Sequence, residues 1–264
     1  MIDIHHHLLP GVDDGSRDME TTLAMLQMAV DDGTTHIVAT PHANTMYAYD
    51  RTAHETLLQT VRDSMPAQFA SRITLGLGCD FHLTYDNLEA AKANPSRFSI
   101  NGKGYLMVEL PDHAIPRTTP EALYELRIAG MVPVLTHPER NKTIQQNLDM
   151  MKPWLIGGLL LQITAGALTG AFGKVAQKCA LELLDRNWVH VIASDAHGTG
   201  RRNPQLSEAR NFVANKYGEE TAHRLFYDNP RAAFEGSSLG EQPTPIGLHE
   251  DLMPKSWWRK LVGK

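Results

Sequence analysis

Short apolar runs rich in aliphatic and β-branched residues punctuate the chain at 2–5, 35–40 (THIVAT), 72–77 (RITLGL), 105–109 (YLMVE), 132–136 (VPVLT), 158–163 (GLLLQI) and 189–193 (VHVIA). Their length and flanks read as strands. Helical periodicity fills the intervals. It runs over about 18–32, where Leu23, Leu26, Met28 and Val30 form an apolar stripe, and near 52–64, 119–130, 173–187 and 204–216. Strands that alternate with helices pair in parallel through crossover connections. Seven such units predict an α/β fold, a TIM-like (β/α)7 barrel, with an open doubly wound sheet as second choice. The stretch 235–254, EGSSLGEQPTPIGLHEDLMP, is rich in Gly, Pro and Ser and reads as irregular. The expected division is a catalytic barrel over 1–235 and a tail over 236–264. The tail ends in KSWWRKLVGK, whose Trp257 and Trp258 would pack on the protein's own surface or on a neighbouring subunit.

The chain has 264 residues, 42% of them hydrophobic and 21% charged, which fits an ordinary globular protein. A formal net charge of −5 argues against a nucleic-acid partner, because proteins that grip phosphate backbones are usually basic. Two cysteines make no disulfide framework, so a reducing cytoplasm is the expected compartment. The sequence has no apolar run long enough to span a membrane and no signal-peptide pattern at its start. Thirteen histidines are the one departure, and they point to metal or phosphate chemistry.

Ligand-type residues recur at one end of the predicted strands. His5 and His7 end the first, His42 follows the second, Asp80 the third, Glu109 ends the fourth, His137 follows the fifth, and Asp195 and His197 follow the seventh. Barrels of this kind build their active sites on that face. Side chains alternate along a strand, so His5 and His7 share a face and His6 points away. The pair Asp195 and His197 repeats the spacing. Asp14 sits in a loop where Gly11 and Gly15 permit a sharp turn. A set made of imidazole and carboxylate suits Mn, Fe or Zn. So many ligands imply more than one ion, with Glu109 as the candidate bridge. Cys79 beside Asp80 reads as a core residue. Arg140 and Arg202, each just downstream of a ligand motif, are the candidate phosphate forks, with Arg202 preferred to Arg201. Neither cysteine starts a Cys-x5-Arg loop: the sixth residue after Cys79 is Tyr85 and after Cys179 is Asp185. Tyr47 and Tyr49 either flank the cleft or lie on an exposed loop.

The set HxH, HLLPGVDDG, ATPH, VEL, THPER and SDAHGTGRRNP resembles the polymerase and histidinol phosphatase (PHP) superfamily. More narrowly it resembles the bacterial PHP-class protein tyrosine phosphatases found with capsule and exopolysaccharide synthesis genes. The resemblance covers about residues 1–235. It implies a distorted (β/α)7 barrel with two to three divalent ions, manganese first, and Fe or Zn as alternatives. One ion would lie on His5, His7, Glu109 and Asp195, a second on Glu109, His137 and Asp80, and a third on Asp14, His42 and His197. Arg140 and Arg202 match the positions expected to hold the substrate phosphate. The implied reaction is attack of a metal-bound hydroxide on phosphotyrosine of a protein, with a bacterial tyrosine kinase as the expected partner. One departure is Asp80, where the family usually has Glu; the shorter side chain would shift or weaken the second ion, and His82, two residues on, could contribute. Other readings are a phosphatase of a small metabolite such as histidinol phosphate, an amidohydrolase, for which no strand-end lysine is present, and a weakened metal-binding partner protein. A homo-oligomer is compatible with the Met-rich helix 19–30 and with the tail.

Overall fold

The computed structural model describes residues 1–111 and 115–248. Trp257, Trp258 and the rest of the basic end lie outside the described residues. Among the described residues nine strand segments form two parallel sheets. The first has the order β1 (Ile2–His6), β2 (His36–Ala39), β4 (Thr74–Leu77). The second runs β3 (His42–Ala43), β5 (Asp80–His82), β6 (Tyr105–Glu109), β7 (Val132–Thr136), β8 (Leu160–Thr164), β9 (Val191–Ala193).

Each expected strand is present, but two are split. Residues 40–41 separate β2 from β3, and 78–79 separate β4 from β5. Pro41 has no N–H to donate, so it interrupts the ladder there. Hydrogen bonds nevertheless bridge the gap: Gly78 N donates to the Ala39 carbonyl at 2.8 Å and Asp80 N to that of Pro41 at 3.0 Å. At the other edge β1 meets the segment after β9. His6 and Ala196 form a parallel bridge, Asp195 N donates to the His5 carbonyl at 2.9 Å, and His7 N donates to that of Ala196 at 2.9 Å.

The central strands are buried along almost their whole length, as parallel strands covered on both faces must be. Helices Met19–Asp31, Arg51–Ser64, Thr119–Ile128, Gly173–Asp185 and Ser207–Tyr217 match the sequence expectation. In the first of these, the buried face is Met25, Leu26, Ala29 and Val30 with Thr22; Leu23 and Met28 sit at its margin, half-buried. Asp18 and Asp50 cap the first two helices by accepting from Thr21 N and Ala53 N. Asp32, just past the first helix, accepts from Leu206 N at 2.7 Å and Ser207 N at 2.9 Å, which caps a helix that starts 175 residues later. The irregular segment from Ser237 onward packs back on the body. Trp188 Nε1 donates to the Ile246 carbonyl at 3.0 Å, and Leu248 is buried. Cys79 is fully buried, with its thiol against the Phe98 carbonyl, as expected of a core residue.

Candidate metal centre

The ligand-type residues singled out in the sequence lie at strand ends, with Asp14 in the loop after β1, and four overlapping groups gather them. The groups are His7, Asp14, His42 and His197; His5, His7 and Asp80; His5, His137 and Asp195; and His42, Asp80 and Glu109. In each, the ligand atoms lie within 4.8 Å of one another. Asp80 belongs to two groups, with Oδ2 3.5 Å from His5 Nε2 and 3.4 Å from His42 Nδ1. Glu109 lies toward the other side, 3.6 Å from both His137 Nε2 and His42 Nδ1. No group joins it to His5 and His7. His82 reaches Glu109 Oε2 at 3.5 Å, at the edge of the centre. Asp14 lies 3.2 Å from His42 Nε2 and 3.4 Å from His197 Nε2.

The geometry is one that asks for positive charge. His5 Nδ1 meets Gln162 Oε1 at 2.9 Å, and His7 Nδ1 meets Asp13 Oδ2 at 2.7 Å. With Nδ1–H donating to those oxygens, both Nε2 atoms carry a bare lone pair. They face each other at 3.3 Å. Two lone pairs so close repel unless a cation or a proton lies between them. Burial lowers the basicity of His7, but its contacts with Asp13 and Asp195 overcome this and carry its pKa up to about 10. His5 is likewise raised: burial lowers it, while Asp195 and Asp80 prevail. The Asp195 carboxyl is fully buried, yet His5, Arg140 and His7 hold it well below the usual carboxylate range. His42 Nδ1, Asp80 Oδ2 and His197 Nε2 are buried without a hydrogen-bond partner. Buried polar atoms are normally satisfied. The donor set of imidazole and carboxylate therefore fits divalent ions of the Mn, Fe or Zn type.

Two of the ligand-type residues have left-handed backbones that are rare outside glycine: His137 at φ 37° and Asp195 at φ 52°. Each sits where a strand turns into its loop, and the turn swings the side chain inward. Arg140, in the turn after His137, and Arg202 both donate to Asp195 Oδ2, Arg202 at 2.6 Å. Arg140 lies over the Phe172 ring, 4.9 Å from its centroid. Arg201 turns away and donates Nε to the Ala171 carbonyl. Of the two tyrosines, Tyr47 lies beside His42, with ring centroids 5.9 Å apart and planes 14° apart. Tyr49 is buried against His54 and Phe98, so neither expectation for it holds; it is a core residue. His6 points away from the centre as the alternation requires. Its ring is enclosed, which lowers its pKa to about 3 and leaves it neutral.

Several supporting residues escaped the sequence reading. Asp13 accepts from His7, from Gly15 N at 2.9 Å and from His42 N at 3.1 Å. Its neighbour Asp14 drew attention as a ligand, and the adjacent carboxylate was a signal of its own. Gln162 is a polar residue inside an apolar strand, which is the mark of a buried polar role. Asp3 accepts from Ser194 N at 3.0 Å and from Ser194 Oγ at 2.5 Å, tying β1 to the loop that carries Asp195. Glu139 is fully buried and accepts from Thr164 N at 2.9 Å, at the end of β8.

Fold and site together define a parallel α/β protein whose strand ends converge on a cluster of His, Asp and Glu side chains that could hold metal ions. The chain belongs to the family described as "Capsular polysaccharide synthesis, CpsB/CapC", which matches residues 1–235. It is 37% identical to CapC of Staphylococcus aureus over 99% of this chain and 100% of that one. It is 31% identical to the tyrosine-protein phosphatase YwqE of Bacillus subtilis, over 92% of this chain and 95% of that one. Among solved structures it is similar to one from a study of YwqE from Bacillus subtilis and CpsB from Streptococcus pneumoniae, there described as metal-dependent tyrosine phosphatases. The TM-score is 0.82 at 31% identity, covering 93% of this chain and 99% of that one.

Proposed function

We infer that the chain is a metal-dependent tyrosine-protein phosphatase. We propose further that its two sheets form the distorted (β/α)7 barrel that the sequence suggests. The hydrogen bonds across residues 39–41 and 78–80 and the contacts of His5, His6 and His7 with Asp195 and Ala196 support that reading. On this reading residues 1–235 are one catalytic unit and 236–264 are the tail, whose described part packs on the body.

The observation that carries the function is the convergence of two arginines on the centre at Asp195. His5, His7, Asp14, His42, Asp80, Glu109, His137, Asp195 and His197 would hold two to three divalent ions, manganese first. Such ions, when bound, acidify a water molecule and neutralise phosphoryl oxygens. Arg140 and Arg202 present planar forks that match phosphate oxygens in pairs. On substrate binding each exchanges a share of its contact with Asp195 for the phosphoryl group, and both stabilise charge on the equatorial oxygens as the bond breaks. Phe172 keeps the Arg140 fork flat beneath that group. The leaving phenolate has a conjugate acid with a pKa of about 10, so its departure requires less protonation than an alkoxide would. Tyr47 stands at the side of His42 where a substrate ring can stack. The substrate is a phosphotyrosine protein, with a tyrosine kinase as the preferred candidate. A cytoplasmic location fits that partner and the buried, free Cys79 and Cys179.

The test is phosphate release from a phosphotyrosine peptide and from histidinol phosphate. Metal-stripped protein is assayed alone and with added Mn, Zn or Fe, beside the His137→Ala variant. Peptide turnover only with metal, and none in the variant, is expected. Turnover of histidinol phosphate alone would replace this reading with that of a metabolite phosphatase.

A further inference from the structure

A cavity adjoins the side of the centre that carries Arg202. Its volume is about 260 Å³, the size of an amino-acid side chain rather than of a cofactor. Among its lining residues are Gly166, Phe172, Ser194, Arg201, Arg202 and Glu208. All but Glu208 lie in the segments that follow β8 and β9, so the cavity opens on the same face as the metal centre. It shares walls with the centre. Arg202 lines it while donating to Asp195 Oδ2, Phe172 lines it while supporting Arg140, and Ser194 precedes Asp195.

Its electrostatics are asymmetric. Arg201 and Arg202 bring two positive charges, and Glu208 brings one negative charge. Arg201 is pinned: both Nε and Nη2 donate to the Ala171 carbonyl. That holds the guanidinium at the cavity and leaves Nη1 for an incoming acceptor. The Nε of Arg202 is buried and has no partner. A Cβ added at Gly166 would stand 3.1 Å from the Phe172 ring, so the ring packs closely on the chain there. An anion seated here is a short distance from the phosphoryl group but separate from it.

We propose that this cavity is a specificity pocket for an acidic side chain, Asp or Glu, that flanks the phosphotyrosine in the substrate chain. The inference rests on the phosphatase reading and adds a preference for sequence to it. A carboxylate would accept from Arg201 Nη1, with the charge of the Arg202 guanidinium behind it at the inner wall. Glu208, on the exposed start of the helix Ser207–Tyr217, limits the preference by opposing the incoming charge. Arg201 contributes nothing to hydrolysis itself, because it faces the cavity and not the metal centre.

The test compares three substrates with manganese-loaded protein: a phosphotyrosine peptide with flanking Asp or Glu, the same peptide with Ala in those places, and p-nitrophenyl phosphate. Wild type should favour the acidic peptide by about tenfold in kcat/KM, the scale of one charge-assisted contact. Arg201→Ala should erase that preference while turnover of p-nitrophenyl phosphate and of the neutral peptide stays unchanged. Glu208→Gln should widen the preference by a few fold. Equal turnover of acidic and neutral peptides by wild type would overturn the inference, as would an equal loss on all three substrates in Arg201→Ala. Turnover of p-nitrophenyl phosphate with no turnover of either peptide would overturn the tyrosine-protein reading and this inference with it. The outcomes are thus separable, and unchanged hydrolysis of the small ester reports that each variant is folded.

Discussion

Replacing Asp13 with Asn tests how the centre is held together. The carboxylate of Asp13 accepts three N–H groups, with Oδ2 taking His7 Nδ1 and His42 N, and Oδ1 taking Gly15 N. An amide oxygen can serve the first two donors. The amide nitrogen then faces Gly15 N–H, donor against donor. A buried donor left without an acceptor costs about 1–3 kcal/mol, and the lost charge on the His7 contact adds a comparable amount. Removal of such an orienting partner commonly lowers metal affinity about 10- to 100-fold. That corresponds to roughly 1.4–2.8 kcal/mol. The metal-free protein should also lose stability. The two costs together come to at least about 2 kcal/mol, which for a chain of this size lowers Tm by at least about 4 °C. The assay is a competition titration of manganese against a chelator at pH 7.5, with thermal unfolding of the stripped protein beside it. Affinity within twofold of wild type, with Tm unchanged, would refute the idea that Asp13 sets the tautomer and direction of His7.

Other outcomes follow from the same geometry. Gln162→Leu removes the acceptor for His5 Nδ1–H and should weaken metal binding about tenfold, read in the same titration, whereas Gln162→Glu should retain it. Burial pushes the Glu139 carboxyl up to about 7 from an ordinary 4.5, so the folded protein binds its proton more tightly than the unfolded chain does. Its contribution to stability is thus full below pH 4.5 and is lost as pH rises through 7; Glu139→Gln should flatten that part of the urea-midpoint profile of stripped protein, by up to about 3 kcal/mol. An unchanged slope would show that the carboxyl is not enclosed as described. Phe172→Ala leaves Arg140 without its ring and should lower kcat/KM for p-nitrophenyl phosphate about 3- to 30-fold, the range of a partly desolvated cation–π contact; steady-state kinetics with metal content matched to wild type decides it.

Much of this site could be read in the sequence because strand alternation is a local rule. In His5-x-His7 and Asp195-x-His197 two side chains two residues apart must share a face, and the apolar runs before them locate the strand ends. The supporting residues could not be read that way. Gln162 serves His5 only because β8 and β1 end at the same face, a contact between positions 157 residues apart. Asp3 and Ser194 are 191 residues apart. Tyr49 was open between two exposed settings and proved buried, because the pocket between His54 and Phe98 exists only after two segments meet. The split of β2 from β3 depends on Pro41, visible in the sequence, but its small effect depends on Gly78 and Asp80 bridging from the next strand. The resemblance to a phosphatase family supplied the substrate; the spacing of ligands alone supplied only the metal chemistry and its face.

The meeting of β1 with the residues after β9 also governs how this chain is made. The first strand, with its histidines, is made well before the segment that meets its free edge, Asp195–Ala196, about 190 residues later. At about 5–20 residues per second that interval is roughly 10–40 s. During it the nascent chain carries an apolar parallel strand with one open edge, the kind of surface that pairs wrongly with other chains. The contact between Asp32 and the start of the helix Ser207–Tyr217 comes later still. Long sequence separation slows folding through the cost of closing large loops. The assembly that unites distant ligands at one point therefore leaves the edge of the first strand open until Asp195 and Ala196 have been made.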